Sequence, residues 1–389
     1  MIQDINSHSL NKDRLKRYFD IFVPVTTCNL QCNYCYVTHH HLASAEVKPL
    51  NYSLSHIRKA LSCERLGGTC LLNFCADGET LLAPYRVKLT RELLEEGHYV
   101  MLVTNGLVTK RIKELTEDIP VELRKHLILK ISFHFMELKL KGLLDKYFAN
   151  VSLIERSGIS FTVELTPTDD EIPYIEEIKE VCVKNLGALC HITVARDERK
   201  PGIPILSALS REEYIKVWGQ FDSPLFDFKM RIFGEPRKEF CYNGLWGGCI
   251  SLETGSISQC YGLRPTSIFD NPSAPIDFCP IGGCEKAHCY NGHSWLTLGM
   301  IPELVTPAYV EMRDRVTVDG RHWVGEDMRK FLSQKLSENN EALSSSAKQR
   351  ALRKNSSKKL MYAFRRLIYC LVNREWSVLT GRLRSLVRL

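Results

Sequence analysis

The chain has 389 residues, 44% of them hydrophobic, and a formal net charge of +7, enough length to bury one large core and a small second one. Its opening, MIQDINSHSLNKDRLKRYFD, is polar and charged, so no secretory signal is expected, and no run approaches the apolar length that spans a bilayer. Fifteen cysteines in so long a chain therefore point to metal chemistry in a reducing cytoplasm and away from a disulfide scaffold.

Between residues 20 and 196, apolar β-type runs alternate with helical patterns. Strands are expected at Asp20–Thr26, Thr69–Cys75, His98–Thr104, Leu127–Phe135, Ile159–Thr166 and Leu189–Ala195. Helices are expected at Ala83–Gly97, Leu107–Asp118, Lys139–Gly158 and Pro173–Gly187, several closed by a glycine. Val-, Ile- and Leu-rich runs separated by amphipathic helices indicate a parallel sheet covered by helices. Six such units predict an α/β fold, an open partial (β/α)6 barrel over residues 1–235. A cysteine-rich domain at 236–300, a helical extension at 301–342 and a linker with a basic tail at 343–389 follow. Chemistry in such folds gathers at the C-terminal ends of the strands.

The loop after the first strand reads Thr-Thr-Cys-Asn-Leu-Gln-Cys-Asn-Tyr-Cys-Tyr, placing Cys28, Cys32 and Cys35 in a C-x3-C-x2-C pattern. Thiolates ligate iron–sulfur clusters. Three of them on one 4Fe–4S cube leave an iron open, which is what catalysis needs and a structural site avoids. The rival readings are a zinc loop or three unrelated buried cysteines. The spacing, with Tyr34 before the last cysteine, resembles the signature of the radical SAM superfamily. That resemblance implies a partial barrel, an open iron that chelates S-adenosylmethionine (SAM), and a 5′-deoxyadenosyl radical on reduction. A reductant such as a flavodoxin or ferredoxin is then a required partner.

The same resemblance nominates cofactor contacts. Cys75-Ala76-Asp77-Gly78-Glu79-Thr80 stands where the family carries Gly-Gly-Glu-Pro: Gly78 and Glu79 match, and Asp77 and Thr80 depart. Glu79 is expected to hold the amino group of SAM. Asn105 lies in the family-like turn Val103-Thr104-Asn105-Gly106. Ser132 and His134 share one face of the fourth strand and fall where the family contacts the SAM ribose. Glu164 and Arg196 are further choices for adenosine or carboxylate contacts. The histidines His39, His40 and His41 are consecutive and cannot converge on one ion from a regular element, so they read as a solvated linking segment. Cys63, Cys70, Cys182, Cys190 and Cys370 lie in apolar runs and read as small core hydrophobes.

Six cysteines fall between Cys241 and Cys289. Cys241, Gly255 and Cys260 follow C-x13-G-x4-C, which resembles the first half of SPASM and twitch domains, and Ser251–Ser258 reads as a hairpin turning at Gly255. The second half departs from that pattern, since only Cys279, Cys284 and Cys289 follow. One auxiliary 4Fe–4S cluster held by Cys241, Cys260, Cys284 and Cys289 is expected, with Cys279 in reserve and zinc the main rival. Cys249 and Cys75 are then spare, and a thiol can return a hydrogen atom to a carbon radical. Asn73–Leu82, Cys289-Tyr290-Asn291-Gly292-His293 and Arg313-Asp314-Arg315 also resemble a subgroup from bacterial cell-surface polysaccharide loci. The resemblance implies hydrogen abstraction from a sugar carbon of a lipid- or nucleotide-linked glycan, giving epimerisation or oxidation. A SPASM-type peptide maturase and a non-catalytic zinc adaptor at the membrane are the alternatives.

From Lys348 onward there are twelve basic residues against one acid, Glu375, so the preceding chain is mildly acidic. Leu343–Lys359 reads as a flexible linker. Leu360–Leu389 interleaves apolar and cationic residues at helical spacing, a pattern that suits an anionic membrane surface better than nucleic acid. Removing residues 345–389 is expected to abolish sedimentation with anionic vesicles while leaving SAM cleavage intact. Unchanged sedimentation would refute a membrane role for the tail.

Overall fold

Alternation along the strands decides the architecture. In the computed structural model, which describes residues 14–44 and 46–355, six strands pair in parallel in their chain order. They are β1 (Arg17–Val23), β2 (Cys70–Ala76), β3 (Tyr99–Thr104), β4 (Leu127–Phe133), β5 (Ser160–Leu165) and β6 (His191–Ile192). On β4, Leu127, Leu129, Ile131 and Phe133 enter the core beneath the helices. The residues between them, Ile128, Lys130 and Ser132, therefore face the concave side. Helices Arg86–Glu95, Thr109–Asp118, Leu144–Arg156 and Ile175–Leu186 follow β2 to β5 in turn and cover the convex side. The expected α/β partial barrel is thus present.

The sheet stays open because β1 takes a different second neighbour. It pairs with β7 (Gly247–Ser251), which continues antiparallel into β8 (Ser256–Ser258) and β9 (Thr266–Ser267). Both strands of the expected hairpin about Gly255 belong to this extension, and Gly255 turns with φ +63°. The first strand begins three residues before its expected start, because Tyr18 and Phe19 already alternate between the two cores. Pro24, with no N–H for the ladder, follows its end. The long helix expected over Lys139–Gly158 is broken into Phe135–Leu140 and Leu144–Arg156, with Gly142 at φ +64° between them. Cys70, Cys182 and Cys190 are buried core residues as expected, and Cys63 is half-buried with its thiol donating to the Glu96 carbonyl oxygen.

The segment after residue 300 plugs the N-terminal end of the barrel. Tyr18, Leu71, Tyr99, Met101 and Ile128 on the concave face pack against Tyr309, Met328, Phe331 and Leu332. The rings of Phe331 and Tyr99 stack with centroids 3.5 Å apart. Trp323 continues the β5 edge through its carbonyl oxygen, which accepts from the Phe161 N–H at 3.1 Å. Among the described residues, this packing fills the N-terminal end of the barrel and leaves the C-terminal ends of the strands as the open face.

Residues 345–355 are helical, where the sequence suggests a linker. Lys348 pairs with Glu303 at 3.0 Å, and the Asn355 amide donates to the Pro280 carbonyl oxygen at 2.8 Å, so this stretch docks on the cysteine-rich segment. A clean removal of the tail therefore starts after residue 355. The basic stretch Leu360–Leu389 and Cys370 lie outside the described residues. Among the described residues, no helix is long and apolar enough to cross a membrane. Phe331→Ala leaves a cavity under Tyr99 and is expected to cost about 3–5 kcal/mol, read as a lowered thermal midpoint.

Candidate active site

The loop after β2 lies directly on the loop after β1. The Glu79 N–H donates to the Thr27 carbonyl oxygen at 2.9 Å. A Cβ on Gly78 would stand 2.2 Å from that oxygen, so only glycine permits the approach. The Glu79 carboxylate is 2% exposed and accepts from the Leu81 N–H at 2.9 Å, the Thr104 hydroxyl at 2.7 Å and the Asn105 N–H at 2.7 Å. Burial pushes its pKa up while these hydrogen bonds pull it back. With about four acceptor sites on a carboxylate, one remains for an ammonium group.

Asn105 carries the connection to the cysteine loop. Its amide donates to Asn29 Oδ1 at 2.6 Å and to Cys28 Sγ at 3.8 Å. Cys28 is exposed, Cys32 buried and Cys35 half-buried. Burial pushes the Cys32 thiol up to about 12, Tyr34 pulls it down, and nearby Glu137, Cys35 and Cys28 add to the rise. The three thiols thus stand within electrostatic reach of one another, and a metal charge would reverse that penalty. Asp77, which departs from the family pattern, has a task here: it accepts from the Tyr36 hydroxyl at 2.5 Å, fixing the residue after the last cysteine. On the other side, Tyr34 and His134 meet, with hydroxyl and Nδ1 2.5 Å apart and rings stacked. A cavity of about 470 Å³ opens beside them, lined in part by Tyr34, Glu137, Thr168, Asp170 and Tyr174.

Deeper in the barrel is a buried polar knot. Asp20, 1% exposed, accepts from the hydroxyls of Tyr18 and Tyr261, both at 2.6 Å, and from the amides of Asn73 and Asn291, both at 2.7 Å. Cys249 stands beside Asp20 in the β1–β7 register, and Cys75 is two residues beyond Asn73 on β2. Both thiols are held well above their ordinary range, first by burial and next by the Asp20 charge, and the two also feel each other. The two spare cysteines singled out in the sequence therefore lie beside one buried carboxylate on the lumen side of the sheet.

Across this pocket, Ser132 and Glu164 are register partners on β4 and β5. Glu164 pairs with Lys130 at 3.4 Å and with Arg313 at 3.2 Å. Burial alone would raise its pKa, but Arg313, Lys130 and Lys229 outweigh burial and hold it below the usual carboxylate range. Arg196 ties the barrel to the cysteine-rich segment, donating to the Tyr290 carbonyl oxygen at 3.0 Å and pairing with Glu198. Glu164 and Arg196 are thus engaged in ion pairs at the lumen wall, Glu164 at the level of Ser132. Asp20, Lys130, Lys229 and Tyr261 are absent from the sequence-derived site residues, although Asp20 and Lys130 carry a legible signal: a charge inside an apolar strand.

The second cysteine set is assembled by backbone pairing. Cys241 and Gly282 exchange N–H to carbonyl hydrogen bonds of 2.8 and 3.0 Å, which sets Cys241 near Cys284. Cys260 follows β8, and the Gly292 N–H donates to the Cys289 carbonyl oxygen at 3.0 Å. Burial raises the Cys289 thiol most, and Cys241, Cys260 and Cys284 each raise it further. Cys260 is pushed up to about 12 by burial and then by Cys241 and Cys284. The four expected ligands are therefore mutual neighbours, while the Cys279 thiol turns to the Pro280 carbonyl oxygen. Among the described residues, no three His, Cys, Asp or Glu side chains stand as a group ready to hold a metal ion. A single zinc would draw thiolates to about 2.3 Å from one centre, whereas a cube of irons and sulfides spaces its ligands around a larger body. The donor set, a buried Cys260 and three half-buried thiols with the Lys286 ammonium near enough to favour the thiolate of Cys260, fits such a group.

No family model matches this sequence, and no curated protein matches it. Among solved structures it is similar to Streptococcus suis SuiB bound to S-adenosylmethionine, at 14% identity and TM-score 0.46, covering 67% of this chain and 64% of that one. The chain thus spans a little under two thirds of the length of SuiB. It is similar also to anSMEcpe with bound AdoMet and Kp18Cys peptide, at 17% identity and TM-score 0.46, covering 92% of this chain and 99% of that one. A third similar structure is BtrN in complex with AdoMet and 2-DOIA, at 15% identity, TM-score 0.35, and 64% and 74% coverage.

Cys260→Ala should lower bound iron and sulfide by the content of one cluster, and Cys279→Ala should leave it unchanged in anaerobically reconstituted protein. Glu164→Gln strands Arg313 without its counter-ion and should cost about 3–5 kcal/mol at neutral pH. Because the folded-state pKa of Glu164 is lowered, its contribution is present above the unfolded value of about 4.3 and is lost as pH falls through the folded one. The difference between wild type and variant should therefore shrink below about pH 4, as followed by denaturant unfolding.

Proposed function

We propose that this chain is a radical SAM enzyme acting on a sugar carbon of a cell-surface glycan precursor. The observation that supports this best is vertical order: the loop of Cys28, Cys32 and Cys35 is pinned by Glu79 and Asn105 at the strand ends, and the Cys75 and Cys249 thiols lie further down the strands beside Asp20. A cluster bound by the three cysteines, with SAM, would supply a carbon radical that abstracts hydrogen. Glu79 has the free acceptor site for the SAM amino group, and Ser132 and His134 lie on the flank suited to its ribose. Gly78 keeps the two loops in contact, and the plug at the opposite end of the barrel excludes water from below. Cys241, Cys260, Cys284 and Cys289 would hold an auxiliary cluster.

Cys75 is the better placed hydrogen donor. It is half-buried and nearer the strand ends, whereas Cys249 is 5% exposed beside Asp20. Its S–H bond would break to give a C–H bond on the substrate carbon, leaving a sulfur radical. One electron from the external reductant and one proton restore the thiol. The outcome is inversion at carbon, an epimerisation.

The test is 5′-deoxyadenosine formed anaerobically from SAM and dithionite, with lipid-linked glycans compared against peptides. Stimulation by glycans and its loss in Cys32→Ala are expected. Cleavage retained in Cys32→Ala would refute the cluster assignment, and stimulation by peptides alone would replace the sugar with a peptide. In deuterated water, Cys75→Ala should still form 5′-deoxyadenosine but incorporate no deuterium into product.

A further inference from the structure

The lumen wall formed by β4 and β5 holds more positive charge than the protein neutralises. Lys130, Lys229 and Arg313 share one carboxylate, Glu164, which lies within ion-pair distance of Lys130 and Arg313 although its Oε1 accepts no hydrogen bond among the described residues. Arg313 is fully buried and its Nη1 and Nη2 have no hydrogen-bond partner among the described residues. Lys229 donates to the neutral Thr193 hydroxyl. Among the described residues, the other groups that face this cluster supply no further anion. His191 sits beside Ser223 Oγ, and it and His293 are both held low by burial and the surrounding cations. Arg196 already pairs with Glu198. Burying cations without counter-ions is unfavourable, and burial together with Arg196 and Lys130 drives the Lys229 pKa down.

We propose that the pocket receives an oxyanion carried by the substrate, a phosphate or a carboxylate, at Lys130 and Lys229, with Arg313 fixed behind them. Lys130 keeps 19% of its side chain exposed, so it can reach a ligand. It lies four residues before His134, about 13 Å down the strand from the flank where Tyr34 meets His134. It also stands within electrostatic reach of Cys75. A substrate anchored there lays its uncharged portion toward Cys75, Tyr261 and Asn291, since the Asp20 charge on the opposite wall repels an anion. The inference rests on reading this lumen as the reaction pocket, but not on any radical step.

The test is calorimetric titration of the metal-loaded full chain with inorganic phosphate, pyrophosphate and malonate, without SAM or reductant. One saturable site per chain is expected for phosphates or for the dicarboxylate, and whichever binds identifies the source of the oxyanion. Lys130→Met and Lys229→Met should weaken binding at least tenfold, with Lys130→Arg restoring it. Should either Met variant fail to keep the wild-type thermal midpoint, Lys130→Gln and Lys229→Gln take its place. Absence of saturable binding overturns the proposal, as does binding that survives both substitutions, which is how attachment to the basic tail would behave. Displacement by saturating SAM also overturns it, because the cations would then belong to the cofactor. Failure to form 5′-deoxyadenosine has no bearing on these titrations.

Discussion

A single carboxylate holds the business end of this barrel together. Glu79 binds the first turn after its own strand, Thr104 at the end of β3 and Asn105 just beyond it, and its backbone N–H holds the loop after β1. Three strand ends are thereby fixed by one residue with its carboxylate buried. The energy sits in the hydrogen bonds, since a buried carboxylate with unfilled acceptors is expensive and one with several donors is tolerated. The cysteine loop inherits its position from this arrangement through Asn105 and Asn29.

The lumen below is divided between two kinds of buried polarity. On the β7–β1–β2 side, four donors fill the acceptor sites of Asp20, while Asn73 Oδ1 alone of this group has no partner among the described residues. A carboxylate so surrounded is held rigidly. On the β4–β5 side the charges are under-compensated and two guanidinium nitrogens stand without partners. Saturation on one wall and deficit on the other give the pocket a direction, with a fixed hydroxyl- and amide-rich floor facing a wall that still wants a ligand.

Much of this was legible in the chain. The strand–helix alternation predicts all six parallel strands, because strands buried on both faces write themselves as apolar runs. The hairpin at Gly255 and the grouping of Cys241, Cys260, Cys284 and Cys289 were also readable from spacing. What spacing could not show is that Tyr34 reaches His134 a hundred positions away, or that Asp77 replaces a family glycine in order to hold Tyr36. Asp20 and Lys130 were legible as charges in apolar strands, but Tyr261 and Asn291 on Asp20 and Glu164 on Lys130 are distant in the chain and only folding brings them in. The Leu343–Lys359 stretch misled because Ser and Lys favour a linker by composition, while Lys348 and Asn355 supply specific docking contacts.

The pairing of β7 with β1 means that the cysteine-rich segment is not a detachable module. Its first strand takes up the hydrogen-bonding edge that an open barrel would otherwise leave bare, and its Cys249 looks into the same lumen as the barrel's own Cys75. A barrel excised before residue 236 would present β1 to solvent as an unpaired template for any other strand, a known route to aggregation. The two cysteine clusters can therefore be exchanged between proteins only as one folded unit, and any natural shuffling of this chain should break elsewhere.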